Sequence, residues 1–135
     1  MHFETKYLGE LRTENTHTQS GTIIHTDAPT DNQGKGAAFS PTDLCALSLT
    51  DCIITTMGIY CNNHGYNLIS ASARTFKHMA NDPRRIARIE IIMELDLKEK
   101  DDEHAKEGVL RVVKTCPVAR SLHPDVLQDV AVFFK

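Results

Sequence analysis

Hydrophobic and polar residues alternate in short runs over the first part of the chain. The runs FETKYL, LRTENTHT and GTIIHT are typical of β-strands, and Gly9 and Gly21 mark turns between them. This pattern predicts an antiparallel β meander over residues 1–26. The segment DAPTDNQGKGAAF, residues 27–39, has no such alternation and predicts a loop long enough to suggest a functional role or a subunit contact.

A long helix is the strongest prediction from the pattern. Ser40 supplies an N-cap hydroxyl, Pro41 suits the first helical position, and Asp43 stands where a capping box has Glu. Gly65 is a natural left-handed end, so we predict a helix over residues 40–64. Its apolar residues occupy more than one face, which predicts burial inside a sheet or at a dimer centre. These residues are Leu44, Leu47, Leu49, Ile53, Ile54, Met57, Ile59 and Tyr60.

The second half of the chain predicts strands, then helices, then a last strand. Two β-type runs within residues 67–98 flank the turn-like NDPR, and helices are expected within residues 101–123, with Asp101 as an acidic cap. The apolar stripe of the first of these helices is Val109, Leu110, Val112 and Val113. A final strand is expected over residues 127–134. This order predicts an α+β fold rather than alternating βαβ units.

Composition narrows the class of protein. A chain of 135 residues is the size of one domain, so we predict a single domain over residues 1–135. A formal charge of −3 and the lack of a Lys/Arg run argue against a nucleic-acid partner. No apolar run reaches the roughly 18–20 residues that span a bilayer, and the N-terminus lacks a signal-peptide pattern. We therefore expect a cytoplasmic protein with no membrane contact.

Four cysteines in such a compartment indicate buried thiols, a metal site or redox chemistry. Cys45, Cys52 and Cys61 share the predicted helix, where steps of about 10.5 and 13.5 Å along the axis are too long for a disulfide. Cys116 is thus the one intrachain partner available to any of the three. Because Pro117 suits the start of a helix, Cys116 is expected at an N-cap, where amide N–H groups stabilise a thiolate.

Lys114 and Arg120 would add positive charge near Cys116. From spacing alone, inert buried cysteines remain the alternative interpretation. The seven histidines show no zinc-type spacing, so we predict no metal site.

Two sequence blocks resemble the OsmC/Ohr family. The run FSPTDL, residues 39–44, leads to Cys52 as in the helix that carries the peroxidatic cysteine of that family. The run CPVARSL, beginning at Cys116, is similar to the block around its second cysteine. Order, spacing and flanking strands agree over nearly the whole chain. The resemblance implies antiparallel sheets packed around a long buried central helix, in an intertwined homodimer.

The resemblance also implies roles for individual residues. Cys52 would react with peroxide and Cys116 would form a disulfide with it. Counting back from Gly21 places Arg12 where the family has the arginine that steadies the thiolate. The family often has glutamate at the position of Thr42; here the acid comes one residue later, so Asp43 is expected to orient Arg12 or only to cap the helix.

The implied function is a thiol peroxidase that reduces organic hydroperoxides, hydrogen peroxide or both. No bound cofactor is expected, and an external dithiol, of the lipoyl type in some branches, would restore the thiols. Two alternatives remain: a non-enzymatic module that binds a small molecule or senses oxidation, and a metal-binding module built on Cys52, Cys116 and histidines.

Overall fold

A computed structural model describes residues 2–135; Met1, the first residue of the predicted meander, lies outside the described residues. Three strands form the N-terminal sheet: β1 (Phe3–Gly9), β2 (Arg12–His17) and β3 (Ile23–Asp27). They pair antiparallel in the order β1-β2-β3, as the alternation predicts. Gly9 and Gly21 have φ values of 86° and 76°, a left-handed conformation that glycine adopts without strain. One turn of 3₁₀ helix, Thr30–Asn32, lies in the loop that follows.

The predicted long helix is confirmed as α1 (Pro41–His64). The Ser40 hydroxyl accepts a hydrogen bond from the Asp43 N–H at 3.0 Å, and an Asp43 carboxylate oxygen accepts one from the Ser40 N–H at 2.9 Å. These reciprocal bonds form the predicted capping box with Asp in place of Glu. Gly65, at φ 72°, ends the helix.

Within a single chain, α1 is buried on one side. One stripe is buried at intervals of three or four residues, whereas Ile59 on another face is 54% exposed. The reason is that one chain covers only one side of this helix, although apolar residues occur all round it. The buried apolar stripe is Ala46, Leu49, Ile53, Met57 and Cys61.

The rest of the chain forms a second sheet with two helices inserted between its strands. The strands are β4 (Leu68–Ala80), β5 (Arg85–Leu97) and β6 (Leu127–Phe134), in the order β4-β5-β6. The helices are α2 (Glu103–Thr115) and α3 (Pro117–Ser121). This arrangement confirms the α+β class.

The expectation of purely antiparallel sheets is wrong for the last strand. β4 and β5 are antiparallel, but β6 pairs parallel with β5. The physical reason is the connection: α2 and α3 carry the chain back before β6 begins, and a helical crossover of this kind joins parallel strands.

The start and the stripe of α2 also need correction. The cap is Asp102 rather than Asp101: its carboxylate accepts hydrogen bonds from the N–H groups of His104 and Ala105. Val109 and Val112 are buried as predicted, but Leu110 is 40% exposed. Leu110 faces away because the buried side of α2 follows the 3.6-residue period through residues 105, 108, 109 and 112.

The core lies between the buried stripe of α1, the inner face of β5 and α2. Alternate β5 residues are completely buried, as expected where one face of a strand packs against helices. The β5 members of this core are Ile89, Ile91, Met93, Leu95 and Leu97.

The chain divides into two compact units, the first ending at Cys45 and the second spanning Ala46–Lys135.

The expectation that no segment suits a bilayer is wrong by one criterion: α1 is long and apolar enough to cross a membrane, with a mean hydropathy of 1.6 over 18 residues. Hydroxyl side chains and Asp51 interrupt the apolar run of α1, so no continuous run is long enough, but the mean hydropathy over the window stays high. The core helix of a soluble protein meets the same criterion.

Candidate active site: the thiol pair of the second unit

Cys52 lies in the middle of α1 and is half-buried. It follows the exposed Asp51, and its own side chain packs against the core of the second unit. The hydroxyl of Thr56, one turn further along the helix, lies 3.9 Å from Cys52 Sγ. Neither end of α1 is close enough to influence this sulfur, because the effect of a helix terminus falls off within one turn.

Cys116 lies at the junction of two helices and is completely buried. Its backbone N–H bonds to the carbonyl of Val112 and ends α2, while its Sγ accepts a hydrogen bond of 3.4 Å from the N–H of Ala119. Pro117 takes the first position of α3. The sequence prediction that Cys116 is an N-cap residue is therefore confirmed.

The net shift in the pKa of the Cys116 thiol is upward, although its N-cap position favours a thiolate. Burial, the largest cause, raises the pKa of Cys116 above its ordinary value. The N–H groups of Ala119 and Val118 lower this pKa, but they do not offset burial. The N–H groups at the helix N-terminus thus act in the predicted direction, but the net shift is upward because the sulfur is out of contact with water.

The two predicted thiols come together. Cys52 lies close enough to Cys116 for the two thiols to interact, and this interaction further raises the pKa of Cys116. All four cysteines are free thiols. Because its pKa is raised, Cys116 keeps its proton, and its S–H can donate toward Cys52.

A side chain from β6 holds the Cys116 junction in place. The amide Nε2 of Gln128 donates a hydrogen bond of 2.9 Å to the carbonyl of Ala119. Ala119 is the residue whose N–H bonds to Cys116 Sγ. Gln128 therefore connects the last strand to the thiol through one residue of α3.

Arg12, in the first unit, has a partner that the sequence analysis missed. Its Nε donates to Asp27 Oδ1 at 2.9 Å and its Nη2 to Asp27 Oδ2 at 3.3 Å. The two residues are direct cross-strand neighbours of β2 and β3. The hydrogen bonds from Arg12 hold the pKa of Asp27 below its usual range, and those to Asp27 raise the pKa of Arg12. Asp43, the predicted partner, has the capping role described above.

The remaining predicted groups lie on the surface. Arg120 and Lys114 are exposed, and the backbone N–H of Arg120 bonds to the Cys116 carbonyl. Among residues 2–135, no group of three or more His, Cys, Asp or Glu side chains is arranged to hold a metal ion. Several histidines are instead bonded to nearby groups of their own sheet or helix, such as His25 with Glu14, His78 with Glu90 and His64 with the Tyr60 carbonyl.

Thr56, Gln128 and Asp27 were missed by the sequence analysis. A signal was available only for Thr56, because residues four apart share a helix face and the pair Cys52–Thr56 has that spacing. The contacts of Gln128 and Asp27 depend on strand register, which hydrophobic alternation does not specify to the residue.

Comparisons with known proteins identify the family to which the chain belongs. Residues 34–129 match the family described as OsmC-like protein. A solved structure from Psychrobacter arcticus 273-4, named for an osmotic stress induced and detoxification response, is 41% identical, with TM-score 0.89 over 98% of this chain and 95% of that one. No curated protein sequence matches.

Two further solved structures share the fold at low identity. An organic hydroperoxide resistance protein OsmC from Legionella pneumophila is 15% identical, with TM-score 0.73 over 98% of this chain and 95% of that one. The organic hydroperoxide resistance protein OhrB of Bacillus subtilis is 16% identical, with TM-score 0.63 over 99% of this chain and 96% of that one. The match over residues 34–129 and the 41% identical relative show that the chain belongs to the OsmC-like protein family.

Proposed function

We propose that the protein is a thiol-dependent peroxidase that reduces organic hydroperoxides, hydrogen peroxide or both. The observation that carries this proposal is the contact between a half-buried thiol, Cys52, and a buried one, Cys116, whose pKa is raised. Family relatives named for organic hydroperoxide resistance support the choice of substrate class.

In the first step, the Cys52 thiolate attacks one peroxide oxygen. A sulfur–oxygen bond forms and the oxygen–oxygen bond breaks, so the sulfur is oxidised to a sulfenic acid and the peroxide is reduced. The leaving oxygen takes up a proton and departs as an alcohol or water. Cys52 suits this step because it is the member of the pair that a small molecule can reach.

In the second step, the Cys116 sulfur attacks the sulfenic sulfur of Cys52. A disulfide forms, the sulfur–oxygen bond breaks, and water leaves with the proton that Cys116 held. The buried position of Cys116 keeps it away from peroxide, and its contact with Cys52 makes a large rearrangement unnecessary.

In the third step, an external dithiol reduces the disulfide by two successive exchanges and is itself oxidised to a disulfide. No bound cofactor takes part in this cycle. A lipoyl-type dithiol is the reductant implied by the family resemblance.

Arg12 is proposed to steady the reactive thiolate. Two of its five N–H donors bind Asp27, which holds the guanidinium in a defined orientation.

Replacing Arg12 by Gln together with Asp27 by Asn removes both charges and leaves no buried carboxylate without its partner. The rate with peroxide should fall by about 100-fold, the cost of losing one preorganised charge, whereas Arg12→Lys should lose less. Arg120 and Asp43 are proposed as supporting residues only.

A homodimer is also proposed. The apolar residues of α1 that one chain leaves exposed, such as Ile59, would then pack against a second copy. A cytoplasmic location is consistent with a cycle that needs reduced thiols.

The experiment that tests the function combines turnover with mass. Reduced protein is incubated with cumene hydroperoxide and, separately, with hydrogen peroxide, in the presence of dihydrolipoamide. Peroxide consumption and the intact mass are then followed. We expect catalytic turnover, and without reductant a loss of two hydrogens that peptide mapping assigns to Cys52 and Cys116.

Cys45→Ser is the matched control, because Cys45 lies on the same helix two turns before Cys52. It should turn over like the natural protein. If the protein is oxidised by one equivalent of peroxide but no dithiol sustains turnover, the result would favour the redox-sensing alternative. Consumption of peroxide by Cys52→Ser would contradict the proposal outright.

A further inference from the structure

A hydroxyl group lies beside Cys52 that has no role in the proposed cycle and is not part of the two sequence blocks that resemble the family. Thr56 lies one turn beyond Cys52 on α1, and its hydroxyl oxygen is 3.9 Å from the sulfur. Both side chains are half-buried, so a charge on the sulfur is only partly solvated. At mid-helix the α1 termini give that charge no support.

The second unit places a titratable thiol and a carboxylate near this sulfur. Cys116 faces it from the α2–α3 junction as a buried S–H donor. Asp51 precedes it on α1, but its side chain is exposed and about 100° away around the helix. Two hydrogen-bonding side chains of the second unit thus lie beside Cys52. The Thr56 hydroxyl is the stronger donor of the two.

We propose that Thr56 is a further catalytic residue of the thiol site, whose hydroxyl donates a hydrogen bond to the Cys52 thiolate. This inference rests on the proposed role of Cys52 as the nucleophile. In the neutral site either group can donate. When Cys52 loses its proton to solvent, the sulfur becomes a pure acceptor and the hydroxyl turns its hydrogen toward it. The bond also holds the side chain of Cys52 in one rotamer, on the same helix face as Thr56.

The test measures the reactivity of Cys52 without using peroxide. The rate of alkylation by iodoacetamide is measured from pH 5 to 10, and fragmentation mass spectrometry separates Cys52 from the other cysteines. In Thr56→Val, which keeps the shape but lacks the hydroxyl, the midpoint of the rate profile should move up by about one pH unit. The rate below that midpoint should then fall about tenfold.

Two further variants separate the hydroxyl from packing. Thr56→Ser keeps the donor and loses a methyl group, so it should retain the natural profile. Thr55→Val makes the same change on the neighbouring, exposed threonine and should leave the profile unchanged. If Thr56→Val does not fold, Thr56→Ala replaces it, with the melting temperature as the check.

The outcomes are distinct. A profile of Thr56→Val identical to that of Thr55→Val would overturn the inference and would indicate that the hydroxyl bonds to the backbone instead, as threonines in helices often do. Equal shifts in Thr56→Val and Thr56→Ser would also overturn it. A shift confined to Thr56→Val, in a protein without peroxide turnover, would support the role of Thr56 while rejecting the proposed function.

Discussion

Cys52 and Cys116 make contact, yet the chain surrounds the two sulfur atoms in opposite ways. Cys116 has what usually favours a thiolate, a position at a helix start and an N–H bond from Ala119. It is nevertheless completely buried, and its pKa is raised. Cys52 lies at mid-helix with no terminus nearby, but it is half-exposed and lies beside two hydrogen-bonding side chains, the thiol of Cys116 and the hydroxyl of Thr56.

The comparison shows that contact with water outweighs a short helix terminus. The N–H groups of Ala119 and Val118, at the start of a five-residue helix, do not compensate a thiolate for complete burial. Under the proposed function, this difference in burial would give the two thiols different tasks: the accessible Cys52 would meet the substrate, and the buried Cys116 would keep its proton until Cys52 has been oxidised.

The largest effect is expected from replacing each thiol in turn. Cys52→Ser should consume no peroxide above background, a loss of at least about 1,000-fold, because the attacking sulfur is gone. Cys116→Ser should still consume about one equivalent, since attack needs only Cys52. Rapid-quench mass spectrometry should then detect a sulfenic acid, or its overoxidised form, on Cys52.

The reciprocal result would break the comparison. If Cys52→Ser retained the single equivalent and Cys116→Ser lost it, burial would not govern which thiol reacts. The melting temperature of each variant serves as the control for folding.

A change remote from both sulfurs should disturb their contact by moving α2. A Cβ on Gly108 would lie 1.8 Å from the hydroxyl oxygen and 2.3 Å from Cζ of Tyr60. The Tyr60 ring is itself stacked on His64, with centroids 4.1 Å apart. Gly108→Ala should therefore destabilise the protein by about 1–3 kcal/mol through overpacking, measured by urea unfolding. Disulfide formation should slow as well, because α2 ends at Cys116.

The control is Gly108→Ala combined with Tyr60→Leu. Without the ring, alanine should stabilise α2 by up to about 1 kcal/mol relative to Tyr60→Leu alone. A similar destabilisation in both backgrounds would locate the strain elsewhere.

A smaller effect is expected at Gln128. Gln128→Met removes the donor to the Ala119 carbonyl, a loss of about 1 kcal/mol, and loosens the residue that bonds to Cys116 Sγ. The rate of disulfide formation after a single peroxide pulse should fall several-fold, while the rate of peroxide consumption is unchanged. Gln19→Met, at an exposed turn, makes the same substitution without this effect. A fall in both rates would contradict a role confined to Cys116.

The smallest effect concerns stability at high pH. The folded protein holds the Cys116 proton more tightly than the unfolded chain does, because burial raises the pKa of this thiol above 9.0. The contribution of this difference to the free energy of unfolding is complete below pH 9 and is lost as the pH rises through the raised pKa of Cys116. Under reducing conditions, the free energy of unfolding should decline less between pH 8 and 11 in Cys116→Ser than in the natural protein. Equal declines would show that Cys116 does not titrate differently on folding.

Local sequence signals predicted α1 almost to the residue. Ser40, Pro41 and Asp43 define its start, and Gly65 its end, through contacts within a few positions of the chain. The N-cap position of Cys116 followed in the same way from Pro117. Contacts between distant segments were predicted less well: β6 is parallel, Leu110 and Ile59 are exposed, and Arg12 pairs with Asp27.

The sequence by itself determined which helices and strands form, the N-cap position of Cys116 and, through family resemblance, the two cysteines to expect together. Capping, turn and periodicity signals are local, so they can be read from neighbouring residues. Only the tertiary structure decided that Cys116 is the buried thiol, that Cys52 contacts both it and Thr56, and that Gln128 supports the junction. Burial and strand register depend on residues far apart in the chain, and burial is the largest cause of the raised pKa of Cys116.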